Sequence, residues 1–297
     1  MKPTKGQRIF AVFNYILLTL LALLCLLPML NIVALSFSSR NMVNAGAVTF
    51  LPKEFTISSY LYMLQKSGLI PALLVTVKRL VLGVVLNLIM TISVAYPLSK
   101  SEKHFKSRKF YVAFFLITMI FNGGIIPTYL VIKQFHMLDT IWALILPLAC
   151  SSFSVTICRT FFRVTVPDAL IEAAKIDGAG QFRIWSNIVL PISKPVMATI
   201  GMFAAFGYWN DWFQASLYIQ DKNLQTLQSL LNNIQKNIEY IANNPYGGLS
   251  LQQYKMGMPT ESVRMAIAIV IIVPIACTYP FFQKYFISGL TIGGVKE

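Results

Sequence analysis

Six long apolar runs separated by polar or basic intervals constrain this chain more than any other feature: 9–35, 71–98, 110–132, 141–161, 196–219 and 263–286. A helix of about 20 apolar residues crosses the hydrocarbon core of a bilayer. Within lipid every backbone polar group needs an internal partner, and an isolated run supplies one only as a helix. Composition agrees: 12% of residues are charged and 56% hydrophobic, whereas soluble domains carry roughly 25% charged residues. The expected fold is therefore all-α, a polytopic membrane protein with six transmembrane helices in one domain over 1–297. The first run far exceeds the apolar core of a signal peptide, roughly 7–15 residues, and lacks a small-residue cleavage site, so it reads as a retained span.

Two runs carry interruptions. Asn122-Gly123-Gly124 and Pro127 break the third, as a functional bend or as loosened packing at its outer end. Lys78 and Arg79 lie near the start of the second. They read as snorkelling anchors, the alternative being that Arg79 meets an acidic substrate. Cys25, Cys150, Cys158 and Cys277 all fall inside apolar runs without a CxxC or a Cys/His cluster, so packed thiols are expected rather than disulfides.

The net charge of +14 would suggest nucleic acid in a soluble protein. In a membrane protein basic residues concentrate in the cytoplasmic loops. With the N-terminus inside, fifteen Lys and Arg fall on that side and eight on the other. Both termini are accordingly expected in the cytoplasm, and no nucleic-acid partner is expected. The external loop 220–261 contains Leu224, Leu227, Leu230, Leu231, Ile234, Ile238 and Ile241 at helical spacing, which predicts an amphipathic helix on the outer surface.

The interval 165–195 faces the cytoplasm in this arrangement. Thr165 and Asp168 suit a capping box, with Val166, Pro167 and Asp168 as a first turn. Ala169 to Asp177 favours helix, Gly178 supplies a left-handed stop, and a second short helix runs from Gln181 to Val189 before Pro191. A helical knob is more than a tether requires, which suggests that it plugs into another protein.

Familiar chemistry is missing. There is no GxxxxGK(S/T) phosphate loop, and Gly178-Ala179-Gly180 follows a helix and lacks the third glycine of a dinucleotide fingerprint. No HExxH occurs, and His104 and His136 lack ligand partners, so no metal site and no catalytic residues are expected. Ion-driven carriers place ionisable groups in mid-membrane. Asp211, in Trp209-Asn210-Asp211-Trp212, is the one carboxylate inside a run, about four turns into the fifth. Energy must then come from a partner.

Glu172-Ala173-Ala174-Lys175-Ile176-Asp177-Gly178-Ala179, followed by Ile188-Val189-Leu190-Pro191 and Pro195, resembles the EAA loop of permease subunits of bacterial ABC importers. Trp209-Asn210-Asp211 and the ending from Tyr285 to Lys296 are similar to carbohydrate-importer permeases of the maltose-permease type, in the branch associated with complex oligosaccharides. The resemblance implies a second homologous permease, a cytoplasmic ATPase dimer that binds ATP and Mg, and an extracellular substrate-binding protein; no cofactor is implied in this chain. It implies that Glu172, Ala173, Ala174, Asp177, Gly178, Ala179 and Pro191 form the coupling loop that docks on the ATPase. Ala173 and Ala174 would permit close approach, and Glu172 would pair with basic groups of the partner. It makes Gly289, Leu290, Thr291 and Lys296 a candidate ATPase-contacting tail. Trp209, Asn210, Asp211 and Trp212 become a candidate translocation path, against the alternative of packing and interface anchoring. The competing functions are a same-family permease for a non-sugar solute, an ion-driven carrier and a membrane enzyme.

Overall fold

The computed structural model describes residues 4–66, 68–243 and 261–291, and their regular structure is helical. The chain divides into two compact units, Met1–Leu69 with Leu231–Pro274 and Ile70–Leu230 with Ile275–Glu297.

In the first unit α1 (Lys5–Ser36) is closed at its start by a capping box in which Gln7 N–H donates to Thr4 Oγ1 and Thr4 N–H to Gln7 Oε1. No residue of its most apolar stretch is buried, as expected for a helix solvated by lipid or by another chain. Two short helices follow, α2 (Arg40–Asn44) and α3 (Ser58–Lys66). Phe37 stacks on Phe55 with ring centroids 5.5 Å apart, and Ser38 Oγ links Ala34 O at 2.7 Å to Lys53 N at 3.0 Å.

The second unit is built on α4 (Leu69–Ser99), which matches the second expected span. The next three expected spans are each broken. The third becomes α5 (Arg108–Ile120) and α6 (Ile125–Gln134), meeting at 117°. Thirteen residues reach about 20 Å, short of the roughly 30 Å hydrocarbon core, so α5 does not continue as one straight span. Asn122 Oδ1 accepts from Gly124 N at 2.9 Å, and Gly124 takes φ 90°, a conformation that redirects the chain and favours glycine. The fourth becomes α7 (Ile141–Leu148), whose last turn is 3₁₀ and contains Pro147, and α8 (Ser152–Thr165), at 47°.

The knob follows: α9 (Asp168–Ile176) and α10 (Gln181–Ile192). The expected capping box is absent. Val166 is extended and ends α8, Pro167 precedes α9, and neither Pro167 nor Thr165 caps it; the buried Thr165 Oγ1 has no partner. The second knob helix does not stop at Val189. A π turn over Trp185–Val189 carries it through Pro191, because the widened turn relieves the clash that a proline ring makes with the carbonyl four residues back.

The fifth expected span, 196–219, ends early. α11 (Lys194–Asn210) stops at Asp211, and α12 (Phe213–Tyr218) is a separate short helix. α13 (Leu227–Asn243) bears out the amphipathic helix, with Leu227 and Ile234 buried, while Leu224 lies in the 3₁₀ turn before it. α14 (Glu261–Thr291) corresponds to the sixth expected span. Among the described residues three helices are long and apolar enough to cross a membrane, or up to six when each bent pair counts as one span.

The core of the second unit joins α4 (Ile92, Ala95, Leu98), α8 (Val155, Cys158, Phe162) and α11 (Val196, Ile200) to the inner face of the knob.

Candidate functional site

The knob is fastened from one side and open on the other. Ile171 and Ala174 of α9, with Ile184 and Val189 of α10, are buried in the cluster that contains Phe162 and Tyr96. A spacing of three on α9, and of five across the π turn of α10, puts one face of each helix against the unit. Asp168 stands in the first turn of α9 and Lys175 in the last, each favourable to the helix dipole. The C-terminus is closed by two bonds, Ala179 N to Ala174 O at 2.9 Å and Gly178 N to Lys175 O at 3.0 Å. That Schellman pattern needs a left-handed residue, and Gly178 supplies it at φ 79°, as the sequence predicted.

Of the expected coupling residues, Glu172, Ala173, Asp177, Gly178 and Pro191 are exposed. Ala174 turns inward, so it brings α9 close to its own unit rather than to a partner, and Ala179 is half-buried on the same cluster. Two large apolar side chains were missed by sequence reasoning. Ile176 is 87% exposed and Phe182 77% exposed, both on the polar knob. Their signal was available: each is an apolar residue that the inward-facing helical spacing leaves outside. Beneath α9, the Lys100 ammonium is pushed below its usual value mainly by burial; Asp168 opposes that shift and Lys175 adds to it. Among the described residues no cluster of His, Cys, Asp or Glu suits a metal ion.

The second constellation is Arg79, which is wholly buried and does not snorkel; Lys78 beside it is exposed. Arg79 Nε donates to Leu144 O at 2.9 Å, and one terminal nitrogen donates to Tyr208 O at 3.3 Å and Asp211 O at 3.1 Å. The other terminal nitrogen is bonded to the Asp211 carboxylate. Breaking a helix frees carbonyls that lipid cannot satisfy. Three side chains answer the break in α7: Arg79 takes Leu144 O, Tyr208 Oη takes Ile145 O at 2.9 Å, and Asn87 Nδ2 takes Leu148 O at 3.0 Å. Arg79 also covers the last carbonyls of α11. Asp211 Oδ1 meanwhile accepts from Gln214 N at 3.2 Å at the start of α12.

The four residues expected to line a path are thus differently placed. Trp209 is buried, Asp211 is tied to Arg79, Asn210 is exposed and donates to Phe206 O at 3.0 Å, and Trp212 is 41% exposed. In the expected tail, Gly289, Leu290 and Thr291 continue the backbone of α14, their side chains outside the description, and Lys296 lies outside the described residues.

Broken apolar helices mended by buried side chains, with a helical knob carrying exposed apolar groups, fit a membrane protein whose protruding loop meets a partner. The chain belongs to the family of binding-protein-dependent transport system inner membrane components, whose model matches residues 67–292. It is the membrane subunit of an ABC importer, with ATP hydrolysis left to separate subunits. Protein LplC of Bacillus subtilis (strain 168) is 37% identical over 296 residues, spanning 100% of this chain and 98% of that protein. The polygalacturonan/rhamnogalacturonan transport system permease protein YtcP of the same organism is 35% identical over 290 residues, covering 98% and 99%. Among solved structures, a bacterial ABC transporter involved in import of the acidic polysaccharide alginate matches with TM-score 0.83 and 29% identity, over 96% of this chain and 99% of that one.

Proposed function

We propose that this chain is one of two homologous permease subunits of an oligosaccharide importer, with its knob docked on a cytoplasmic ATPase dimer and its outer face fed by a substrate-binding protein. The observation that carries the docking role is the exposure of Ile176 and Phe182 on the open face of the knob. Apolar side chains of that size on a polar protrusion favour an apolar cleft in a partner. The basic bias of the loops supports placing the knob and both termini in the cytoplasm. ATP and Mg are then bound by the partner ATPases.

A carbohydrate substrate is supported by the names of the relatives, which include the polygalacturonan/rhamnogalacturonan permease YtcP and an arabinooligosaccharides permease from Halalkalibacterium halodurans. An ion-driven carrier is disfavoured by the engagement of Asp211 with Arg79, which leaves that carboxylate no free site for a coupling cation.

The test is co-purification of the full assembly from cells expressing all its subunits. Ile176→Asp with Phe182→Asp is expected to release the ATPase while this chain keeps its Tm. Undiminished recovery of the ATPase would refute the docking role. Transport by the intact assembly of galacturonide oligosaccharides, against neutral sugars and non-sugar solutes, tests the substrate class.

A further inference from the structure

Where α4, α5 and α8 meet beside the knob, the charge distribution is unbalanced. Arg108 Nε and Arg159 Nε both donate to the same carbonyl, Leu98 O, each at 3.2 Å, so two guanidiniums from different helices stand side by side. Arg163 lies one turn beyond Arg159, and Lys100 follows the end of α4. Among the described residues none of these arginines has a carboxylate within ion-pair reach. Glu102 is 3.1 Å from Lys109, and Asp168 sits against the positive end of its own helix. One carbonyl accounts for one N–H of each of Arg108 and Arg159, while each guanidinium carries five.

Of these groups Lys100, Arg108 and Arg163 line a cavity of about 480 Å³, together with Tyr96, Glu102 and Asp168. Tyr96 is 9% exposed, and its hydroxyl is buried without a hydrogen-bond partner. An oxygen-rich anion would take that O–H and the remaining guanidinium donors together. The neighbouring surface says what carries the anion. From Arg108 onward α5 has no buried residue, and Phe110, Phe114 and Ile117 are 71%, 52% and 62% exposed. An apolar face that starts at Arg108, which also lines this cavity of net positive charge, fits an amphiphile, with its head in the cavity and its chains along α5.

We propose that this cavity holds the phosphate headgroup of an anionic phospholipid, bound by Arg108, Arg163, Lys100 and the Tyr96 hydroxyl, with its acyl chains on the exposed face of α5.

The full chain in detergent is titrated with phosphatidylglycerol, phosphatidylcholine and inorganic phosphate, with binding read by native mass spectrometry and by the shift in Tm. Phosphatidylglycerol is expected to bind selectively. Arg108→Gln with Arg163→Gln should weaken it on the order of 30-fold, at roughly five-fold for each basic group removed. Lys103→Gln with Lys106→Gln, which removes the same charge from exposed loop positions, should leave it unchanged. If the double variant fails to fold, Arg163→Gln alone alters an exposed side chain and should give the roughly five-fold loss. Equal affinity for phosphatidylcholine, unchanged binding in the arginine variants or equal loss in the lysine control overturns the proposal. Equal stabilisation by inorganic phosphate overturns the lipid assignment in favour of a free anion. Release of the ATPase by the arginine variant with lipid selectivity intact also overturns it, since the arginines would then face a protein.

Discussion

The ring of Tyr208 lies flat against the backbone of Gly83: a β-carbon at position 83 would come within 2.5 Å of Tyr208 Cζ and 2.6 Å of Cε2. The ring has little room to retreat, because its hydroxyl is bonded to Ile145 O and the Arg79 guanidinium lies 5.5 Å from its centroid. Gly83→Ala should therefore cost about 1–3 kcal/mol, the usual penalty of overpacking. Gly207→Ala, one position from Tyr208 on α11 with nothing within 4 Å of its added carbon, should be neutral or slightly stabilising. Thermal unfolding of the purified chain separates the two; equal Tm values for both variants would contradict the contact.

Arg79 is fully buried and its partner nearly so, with 16% of the Asp211 side chain accessible. Removing one member of such a pair strands the other, and Arg79→Ala is expected to lower stability by about 3–5 kcal/mol. Arg79→Lys should not rescue it, since an ammonium cannot reach Leu144 O, Tyr208 O and Asp211 together as the planar fork does. Denaturant midpoints of the three proteins check this. A Lys variant as stable as the parent would reduce Arg79 to a simple charge.

The stop at Gly178 makes a prediction about coupling. A side chain there is forced into the left-handed region, at about 1–2 kcal/mol for a non-glycine residue. Gly178→Val should loosen the end of α9 and, with Glu172→Ala, abolish substrate-stimulated ATP hydrolysis in the reconstituted assembly. Gly180→Ala, at an extended position with nothing near its added carbon, should leave stimulation intact. Normal stimulation in the Gly178 and Glu172 variant would contradict the coupling role.

Asp139 carries the acid dependence of the turn before α7. Its carboxylate is held below the usual value by N–H bonds from Gln220 and then Asp221, against a smaller opposing effect of burial. Because the folded pKa is depressed, this contribution is fully present above the unfolded value of about 4 and is lost as pH falls through the folded pKa. Hydrogen exchange at the Gln220 and Asp221 amides should accelerate as pH falls through that range, after correction for intrinsic rates. Asp139→Asn should remove the pH dependence.

Much of this was legible in the chain. The apolar runs located α1, α4 and α14 to within a few residues, because length and hydropathy are properties of the run alone. Gly178 announced its left-handed stop because few other residues tolerate one. The break at Gly124 was marked in the sequence but not its angle, and the breaks after Leu148 and at Asp211 were not read at all. A broken helix depends on what mends it, and the menders of α7 lie 61 to 65 positions away in the sequence. Arg79 was misread for the same reason. Near the start of an apolar run it looks like an anchor, and only the approach of α7 and α11 makes it a hub. Ala174 shows the local form of the limit, since of two adjacent alanines of one motif Ala173 is exposed and Ala174 buried.

The hub has one further consequence. A guanidinium that supplies the missing partners of α7 and α11 from its place on α4 cannot let go of either without leaving buried carbonyls unpaired. A displacement of any of these three segments that keeps the bonds of Arg79 is expected to carry the other two along, so that they travel as one welded cassette.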